Sequence, residues 1–437
     1  MTAEIAILNK SAVALASDSA VTISDGTREA KIYFTADKLF ELSRRTPIAV
    51  MIYNGMQFMQ APFDMLIDRY RRECPSFDYV EDAAKHFLQY LADWSLSAPP
   101  EVSQSVTESA IRPIAERIVD RISKRVASAV RKSGSTNLNV AEIVDEVFSA
   151  LERIYGDAPK ASFLGTVPKM TKERVALLRQ IVSELGPGDG EDHERFVNLL
   201  KQASLKLPLS DSRTGIVVAG FGEKEIFPTL VSYEIDGPIF GRVRYVQTNF
   251  VDIDRRKDRA RVLPFAQKEM VERFLYGVDA EIERKLSQFA RQNVQEIRTE
   301  IFKYLDMSDD DRNALTEKMK AAETAFVTGL RDVGFDQIRS ESRIAIEAMV
   351  EFMPKPELAT MAEALVNLTS IKRRVSRGME TVGGPIDVAV VSKSEGFVWV
   401  KRKHYFASEL NPRYLARVGI SSGNPQEDQD NATKSKP

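Results

Sequence analysis

At 437 residues the chain can form one large domain or two ordinary ones, and 43% apolar with 28% charged residues is the composition of a soluble globular protein, which argues against disorder outside the ends. Lysine and arginine (61) nearly cancel aspartate and glutamate (63), so a formal charge of −2 gives no global attraction to nucleic acid or to a membrane surface. The single cysteine, Cys74, excludes an internal disulfide and fits a reducing cytoplasm; three scattered histidines (His86, His193, His404) form no zinc cluster, and no metal or organic cofactor is expected.

The chain opens with strands. IAIL and VALAS, joined by the polar Asn9-Lys10-Ser11, predict a hairpin. That polar break and the lack of a basic leader argue against a signal peptide, and no apolar run reaches transmembrane length. Runs at 31–34, 38–42 and 48–53, separated by Ser24-Asp25-Gly26 and Thr46-Pro47 and closed by Asn54-Gly55, extend the strands into an antiparallel region.

Helical periodicity takes over after Gly55 in FMQAPFDMLIDRYRREC and VEDAAKHFLQYLADWSLSA, and continues through SVTESAIRPIAERIVDRISKRVASAVRKSG and NVAEIVDEVFSALERIY. GPGDG at 186–190 is a loop. Strands return at 214–222, 229–235 and 239–247, with turns at Gly222-Glu223-Lys224 and Asp236-Gly237. Helices are expected over about 264–305, 309–333 and 339–375, the last interrupted by Pro354-Lys355-Pro356. Two strands, 386–391 and 397–401, follow, and the polar tail 421–437 reads as disordered.

This order predicts an α+β fold with mostly antiparallel sheets in a single domain over 1–420. Its sheet segments are about 2–55, 213–248 and 384–405, and its helical insertions about 103–208 and 275–374. Gly220-Phe221-Gly222 lacks the third glycine and following helix of a dinucleotide site. The basic runs at 255–261 and 372–377 read as solvated helix ends or loops, without nucleic-acid contact.

The chemistry gathers at the N-terminus. If Met1 is removed, Thr2 carries a hydroxyl and a free α-amine in one residue, and an α-amine with a pKa of roughly 7.7 to 8.0 is partly unprotonated near neutrality. It can therefore accept the hydroxyl proton. Lys38 is a candidate for the positive charge that favours the anionic hydroxyl, and Asp18 for the group that orients the lysine. Asn54-Gly55, at a strand-to-helix junction, could supply backbone N–H groups to a tetrahedral oxyanion. Each residue also has an ordinary reading: Thr2 as a permissive second residue, Asp18 as a turn or cap, Lys38 as a surface strand lysine, and Asn54-Gly55 as a turn.

The distance from Thr2 to Asp18, the string VALASDSAVT, then KLFEL and IAVMIYNG in order resemble the first half of a proteasome β-subunit or its bacterial HslV-type relative. More loosely, TGIVVAGFGEKEIFPTLVSYEIDGPIF is similar to the second-half strands of that family, and VGGPIDVAVVSKSEGFVWV to its closing pair. The resemblance implies an N-terminal nucleophile (Ntn) hydrolase fold, a four-layer αββα sandwich of two antiparallel sheets. It places Thr2 as nucleophile, Asp18 and Lys38 as its catalytic partners, and Asn54-Gly55 as oxyanion donors. Ser19, Ala20 and Thr22 fall on the segment that binds an extended substrate, with Gly383 and Gly384 in support. The implied partners are a polypeptide substrate, further copies of the chain in a homo-oligomer or ring, and an unfoldase or regulatory protein.

The chain also departs from that pattern. The stretch between Asp25 and Lys38 is a few residues longer, and no serine appears in PFAQKEM. Met379, Glu380, Thr381 and Val382 stand where the family has an aspartate and a serine. Two alternatives therefore accompany the threonine peptidase: a catalytically silent scaffold or binding subunit of the same fold, and a small-molecule amidase using the same nucleophile.

Overall fold

The computed structural model describes residues 2–24, 30–133, 139–186, 190–210, 212–305, 308–376, 382–407 and 410–413. Residues 187–189 of the expected loop, Met379, Glu380 and Thr381, and the tail 421–437 lie outside the described residues. The chain divides into a unit ending at Lys401 and a unit beginning at Arg402; in the second, Asn411 Nδ2 donates to the Ala407 carbonyl at 2.9 Å.

The fold is α+β. Its first part runs β1 (Ala3–Asn9), β2 (Val13–Ser17), β3 (Val21–Ser24), β4 (Ala30–Tyr33), β5 (Leu39–Ser43), β6 (Ile48–Tyr53), β7 (Gln57–Phe58), β8 (Ala61–Pro62), α1 (Phe63–Glu73) and α2 (Val80–Leu96). A first helical block follows: α3 (Pro100–Ser133), α4 (Val140–Asp157), β9 (Ser162–Phe163), α5 (Lys172–Leu185) and α6 (Glu191–Leu205). Then come β10 (Thr214–Gly220), β11 (Thr229–Ile239), β12 (Arg242–Asp252), β13 (Ala260–Ala266), α7 (Glu269–Tyr276), α8 (Ala280–Lys303) and α9 (Asp309–Gly329). A π-helical segment (Leu330–Phe335) leads into α10 (Asp336–Val350), α11 (Lys355–Val375), β14 (Asp387–Ser392) and β15 (Gly396–Lys401).

Two antiparallel sheets carry the unit, in the orders β13-β1-β2-β14-β15 and β5-β6-β10-β11-β12-β9. Period-two alternation gives each sheet two apolar faces. In β6, Ile48, Val50 and Ile52 pack against α1 and α2, while Ala49, Met51 and Tyr53 face the other way and meet Ala6, Leu8, Val13, Leu15 and Val391 of the five-stranded sheet. In β1, Ala3, Ile5 and Ile7 pack with α7 and α11, and Ala6 and Leu8 enter the layer between the sheets. Helices therefore cover one face of each sheet, and the two remaining faces share a core. Among the described residues no helix is long and apolar enough to cross a membrane.

Two expectations are corrected. Pro264, read as a helix start, lies inside β13, which pairs with β1 from Ala3 opposite Ala266 to Asn9 opposite Ala260. As an edge strand of its sheet, β13 tolerates a proline that a central strand would not. The turn assigned to Asp236-Gly237 falls instead at Phe240-Gly241, both with positive φ, and β11 continues to Ile239 through a register shift.

Asp236 is occupied elsewhere. Its carboxylate accepts from Ser210 N at 3.1 Å, from Arg244 Nε at 2.8 Å and from Arg244 Nη2 at 2.5 Å, and both charged side chains are fully buried. Arg244 Nη1 donates in turn to the carbonyls of Ala203, in α6, and Lys206. The pair thus ties the first helical block, whose own core gathers Ile111, Phe148, Ile181 and Phe196, to the β11–β12 ribbon. The second block differs: α8 has no buried residue, and Phe289, Ile297, Phe326 and Val333 stand in solvent.

Replacing Arg244 with alanine strands the Asp236 charge and leaves two carbonyls without a donor. The variant is expected to lose about 3–5 kcal/mol, the usual cost of breaking a buried pair from one side. A lowered denaturant midpoint at unchanged slope checks this; a wild-type midpoint refutes the anchoring role.

Candidate active site

The site lies at one end of the layer between the sheets. The hairpin β1–β2 sets Glu4 opposite Ser17, which brings the residues just before β1 and just after β2 side by side. Thr2 and Asp18 occupy those positions, with the backbone N–H of Asp18 donating to the Ala3 carbonyl at 3.1 Å. On the other side, Thr2 O accepts from Gln267 N, which follows β13, at 3.1 Å.

Asp18 is the hub. Oδ1 accepts from Lys38 Nζ at 2.5 Å and from Ala3 N, the amide that follows Thr2, at 3.2 Å. Oδ2 accepts from Gly383 N at 3.0 Å and Ala20 N at 3.4 Å. Lys38 enters from the residue before β5, in the other sheet, and both side chains are completely buried. The surface reading of Lys38 therefore does not hold: with no exposure, its ammonium needs the charge-assisted partner that Asp18 provides.

A second carboxylate completes the cluster, and it was not anticipated from sequence. Glu4 is fully buried; its Oε2 accepts the Thr2 hydroxyl at 3.1 Å and its Oε1 lies 3.4 Å from Lys38 Nζ, with no hydrogen bond to Oε1. Burial pushes its carboxyl up from an ordinary 4.5 to about 8; Lys38 pulls it back, and the neighbouring Asp18 adds to the rise. The signal lay in the strand period: Glu4 alternates with Thr2, Ala6 and Leu8, so a charged residue occupies a face otherwise directed into the inter-sheet core.

Asn54 and Gly55 adjoin Thr2. The Asn54 N–H donates to Thr2 Oγ1 at 3.5 Å, from a residue with φ of 65°. They do not lie at a helix N-terminus, because β7 and β8 intervene before α1, so any oxyanion donor here is a turn amide without a helix behind it. Gly55 is required by space: a Cβ there would stand 2.0 Å from Thr214 Oγ1. Tyr53 is buried beside them, and its hydroxyl donates to Glu234 Oε1 at 3.3 Å; burial and the nearby Glu234 and Glu4 raise its pKa.

Of the expected substrate-binding residues, Ser19 and Ala20 are fully buried. Ser19 N donates to Gly383 O, Ser19 O accepts from Ala36 N, and Ser19 Oγ donates to Pro385 O at 2.6 Å. Its groups are thus satisfied within the protein, and it braces the Gly383-Gly384 segment. Gly384, with φ of +79°, has Phe34 packed where a Cβ would be. Thr22 sits in β3, paired with Ile32 of β4, and its Oγ1 has no hydrogen-bond partner. Among the described residues β3 has no strand on its other edge. No group of three or more histidine, cysteine or acidic residues that could hold a metal occurs among the described residues.

No protein-family model matches the chain, and no curated protein is significantly similar to it.

The raised Glu4 carboxyl makes stability depend on pH. Between 4.5 and about 8 the folded chain holds a proton that the unfolded chain releases, so this contribution is complete below 4.5 and is lost as pH rises through about 8. With an N-terminal extension, so that Thr2 has no free amine, unfolding free energy is expected to fall across that window. The slope approaches about 1.4 kcal/mol per pH unit for one proton. Glu4→Gln removes the slope; equal slopes in the two proteins, measured by denaturant titration at several pH values, would refute the assignment.

Proposed function

We propose that the chain is a threonine endopeptidase of the Ntn-hydrolase fold, similar to proteasome β-subunits and HslV, with Thr2 as nucleophile once Met1 has left. The observation that carries this reading is the convergence on Asp18: one carboxylate holds the Lys38 ammonium and the amide adjoining Thr2. The helix, sheet, sheet, helix arrangement around that point supports the fold.

In this reading the Thr2 hydroxyl attacks a peptide carbonyl, the bond to nitrogen breaks, and water releases the acyl group from Oγ1. The Asn54 N–H, which reaches Thr2 Oγ1 at 3.5 Å, would donate to the oxyanion that forms beside it. An extended peptide would add to the open edge of β3 at Thr22. The exposed Phe289, Ile297, Phe326 and Val333 of the second helical block support self-association of the chain, and assembly would also offer a surface to an unfoldase or regulatory partner. A silent scaffold is the second reading, favoured by the burial of Thr2 itself, which is 2% exposed.

Intact mass decides the first requirement: the purified chain is expected to be one methionine lighter than its sequence. A peptide epoxyketone, which reacts with a hydroxyl and an amine on the same residue, should then add to Thr2 and block cleavage of dye-labelled unfolded casein. Thr2→Ala should abolish both. Retained Met1, or an adduct that survives Thr2→Ala, overturns the proposal; an adduct with turnover of simple amides but not of casein selects the amidase instead.

A further inference from the structure

We propose that Glu4 is a catalytic residue, the group that takes the proton from the Thr2 hydroxyl and returns it to the leaving nitrogen. The inference rests on Thr2 being the nucleophile. Three observations on the molecule single Glu4 out.

The first is contact. Among the side chains around Thr2 Oγ1, Glu4 Oε2 is in hydrogen-bond reach at 3.1 Å with the hydroxyl already donating to it. The second is the difference between the two carboxylates. Asp18 accepts from Lys38 and from three backbone N–H groups, so its oxygens are fully engaged in holding the frame. Glu4 has one long approach to Lys38 at 3.4 Å and an Oε1 with no hydrogen bond, which leaves it the carboxylate with capacity for another proton. The third is position. Glu4 lies between Ser17 and Phe265 of the two neighbouring strands, on the face of β1 whose next residues, Ala6 and Leu8, enter the apolar layer between the sheets, where a buried acid is costly.

The charged and titratable groups facing Glu4 are Lys38, Asp18, the Thr2 hydroxyl and the buried Tyr53, itself bonded to Glu234. Burial is the main cause that pushes the Glu4 carboxyl up to about 8; Lys38 opposes the rise and the neighbouring Asp18 carboxylate adds to it, so the acid stays protonated beside a single ammonium. Loss of Met1 supplies a second cation, the Thr2 α-ammonium. Charge balance then favours Glu4 as a carboxylate, which is the form that can accept a proton. Processing of the N-terminus would thus ready the acceptor as well as expose the nucleophile.

The proton count closes. Oγ1 bonds to the carbonyl carbon while its proton passes to Glu4 Oε2; the carbon–nitrogen bond breaks as that proton moves to nitrogen. Water then attacks the acyl carbon, giving a proton to Glu4, and the carbon–Oγ1 bond breaks as Glu4 reprotonates Oγ1.

The test compares processed wild type, Glu4→Gln and Thr2→Ala by the rate of epoxyketone addition and by casein cleavage across pH. Glu4→Gln preserves size and keeps one acceptor for the Thr2 hydroxyl, while it removes the carboxylate. It is expected to fold, to lose about 10²- to 10⁴-fold in rate, and to lack one ionisation present in the wild-type pH profile. A Glu4→Gln rate and profile matching wild type overturn the proposal while Thr2-dependent activity stands. Activity that survives Thr2→Ala overturns the nucleophile assignment, and this inference with it. If Glu4→Gln does not fold, Glu4→Asp keeps the charge but withdraws the carboxyl by one methylene; a fall in kcat of tenfold or more with unchanged KM supports the role, and wild-type kcat overturns it.

Discussion

The constraint on which the rest of the site depends is a completely buried lysine. Lys38 has no exposure, and an ammonium taken out of water is tolerated only beside carboxylate. Asp18 meets that need at 2.5 Å, and because Asp18 also holds the backbone of Ala3, Ala20 and Gly383, the ion pair fixes three chain segments at once. Removing either partner would leave a charge in the apolar layer and release the segment that presents Thr2. Glu4 adds a second acid beside the same ammonium, and burial, reinforced by Asp18, raises its carboxyl to about 8.

The sheets explain how residues so far apart in sequence reach one point. Thr2, Glu4 and Asp18 belong to the β1–β2 hairpin of one sheet, Lys38 and Asn54 to the ends of β5 and β6 in the other, and Gly383 to the approach to β14. Packing the inner faces of the two sheets against each other, with Ala6, Leu8 and Leu15 against Ala49, Met51 and Val217, brings these ends together. Small residues such as Ala6 and Ala49 let the layers approach closely, and hydrophobic burial supplies the energy that sequestering the charges costs.

Much of this was legible in the sequence where periodicity is strong. The opening hairpin and β6 follow from alternation bounded by turn residues, and β6 runs over the same Ile48–Tyr53 that its pattern predicts. The failures have physical causes. Pro264 suppressed the strand reading of ARVLPFA, although an edge position accommodates a residue without an N–H. Asp236-Gly237 carries strong turn chemistry, but the buried guanidinium of Arg244 recruits Asp236 and the strand passes through. At the site, Asp18 and Lys38 were nameable from order and resemblance, whereas Glu4 was hidden in an apolar run. Its importance emerges only from what it touches, because spacing says which face a residue occupies and nothing of what stands across the layer.

The two helical blocks stand apart from this chemistry. Thr2, Glu4, Asp18, Lys38, Asn54 and Gly383 all come from the sheet-bearing segments, and none lies between Pro100 and Leu205 or between Ala280 and Val350. The first block has its own core and is fastened through Arg244 to the β11–β12 ribbon, so its packing energy is largely internal. The second leaves α8 without a buried residue, and it meets the five-stranded sheet through α10, where Ile346 and Val350 pack and Glu347 pairs with Arg261 of β13. Their sequences can therefore change the surface that the molecule presents while the buried cluster keeps its geometry. A site whose distances are set by an ion pair between two packed sheets depends on those sheets, and the helices outside them are free to serve a different contact.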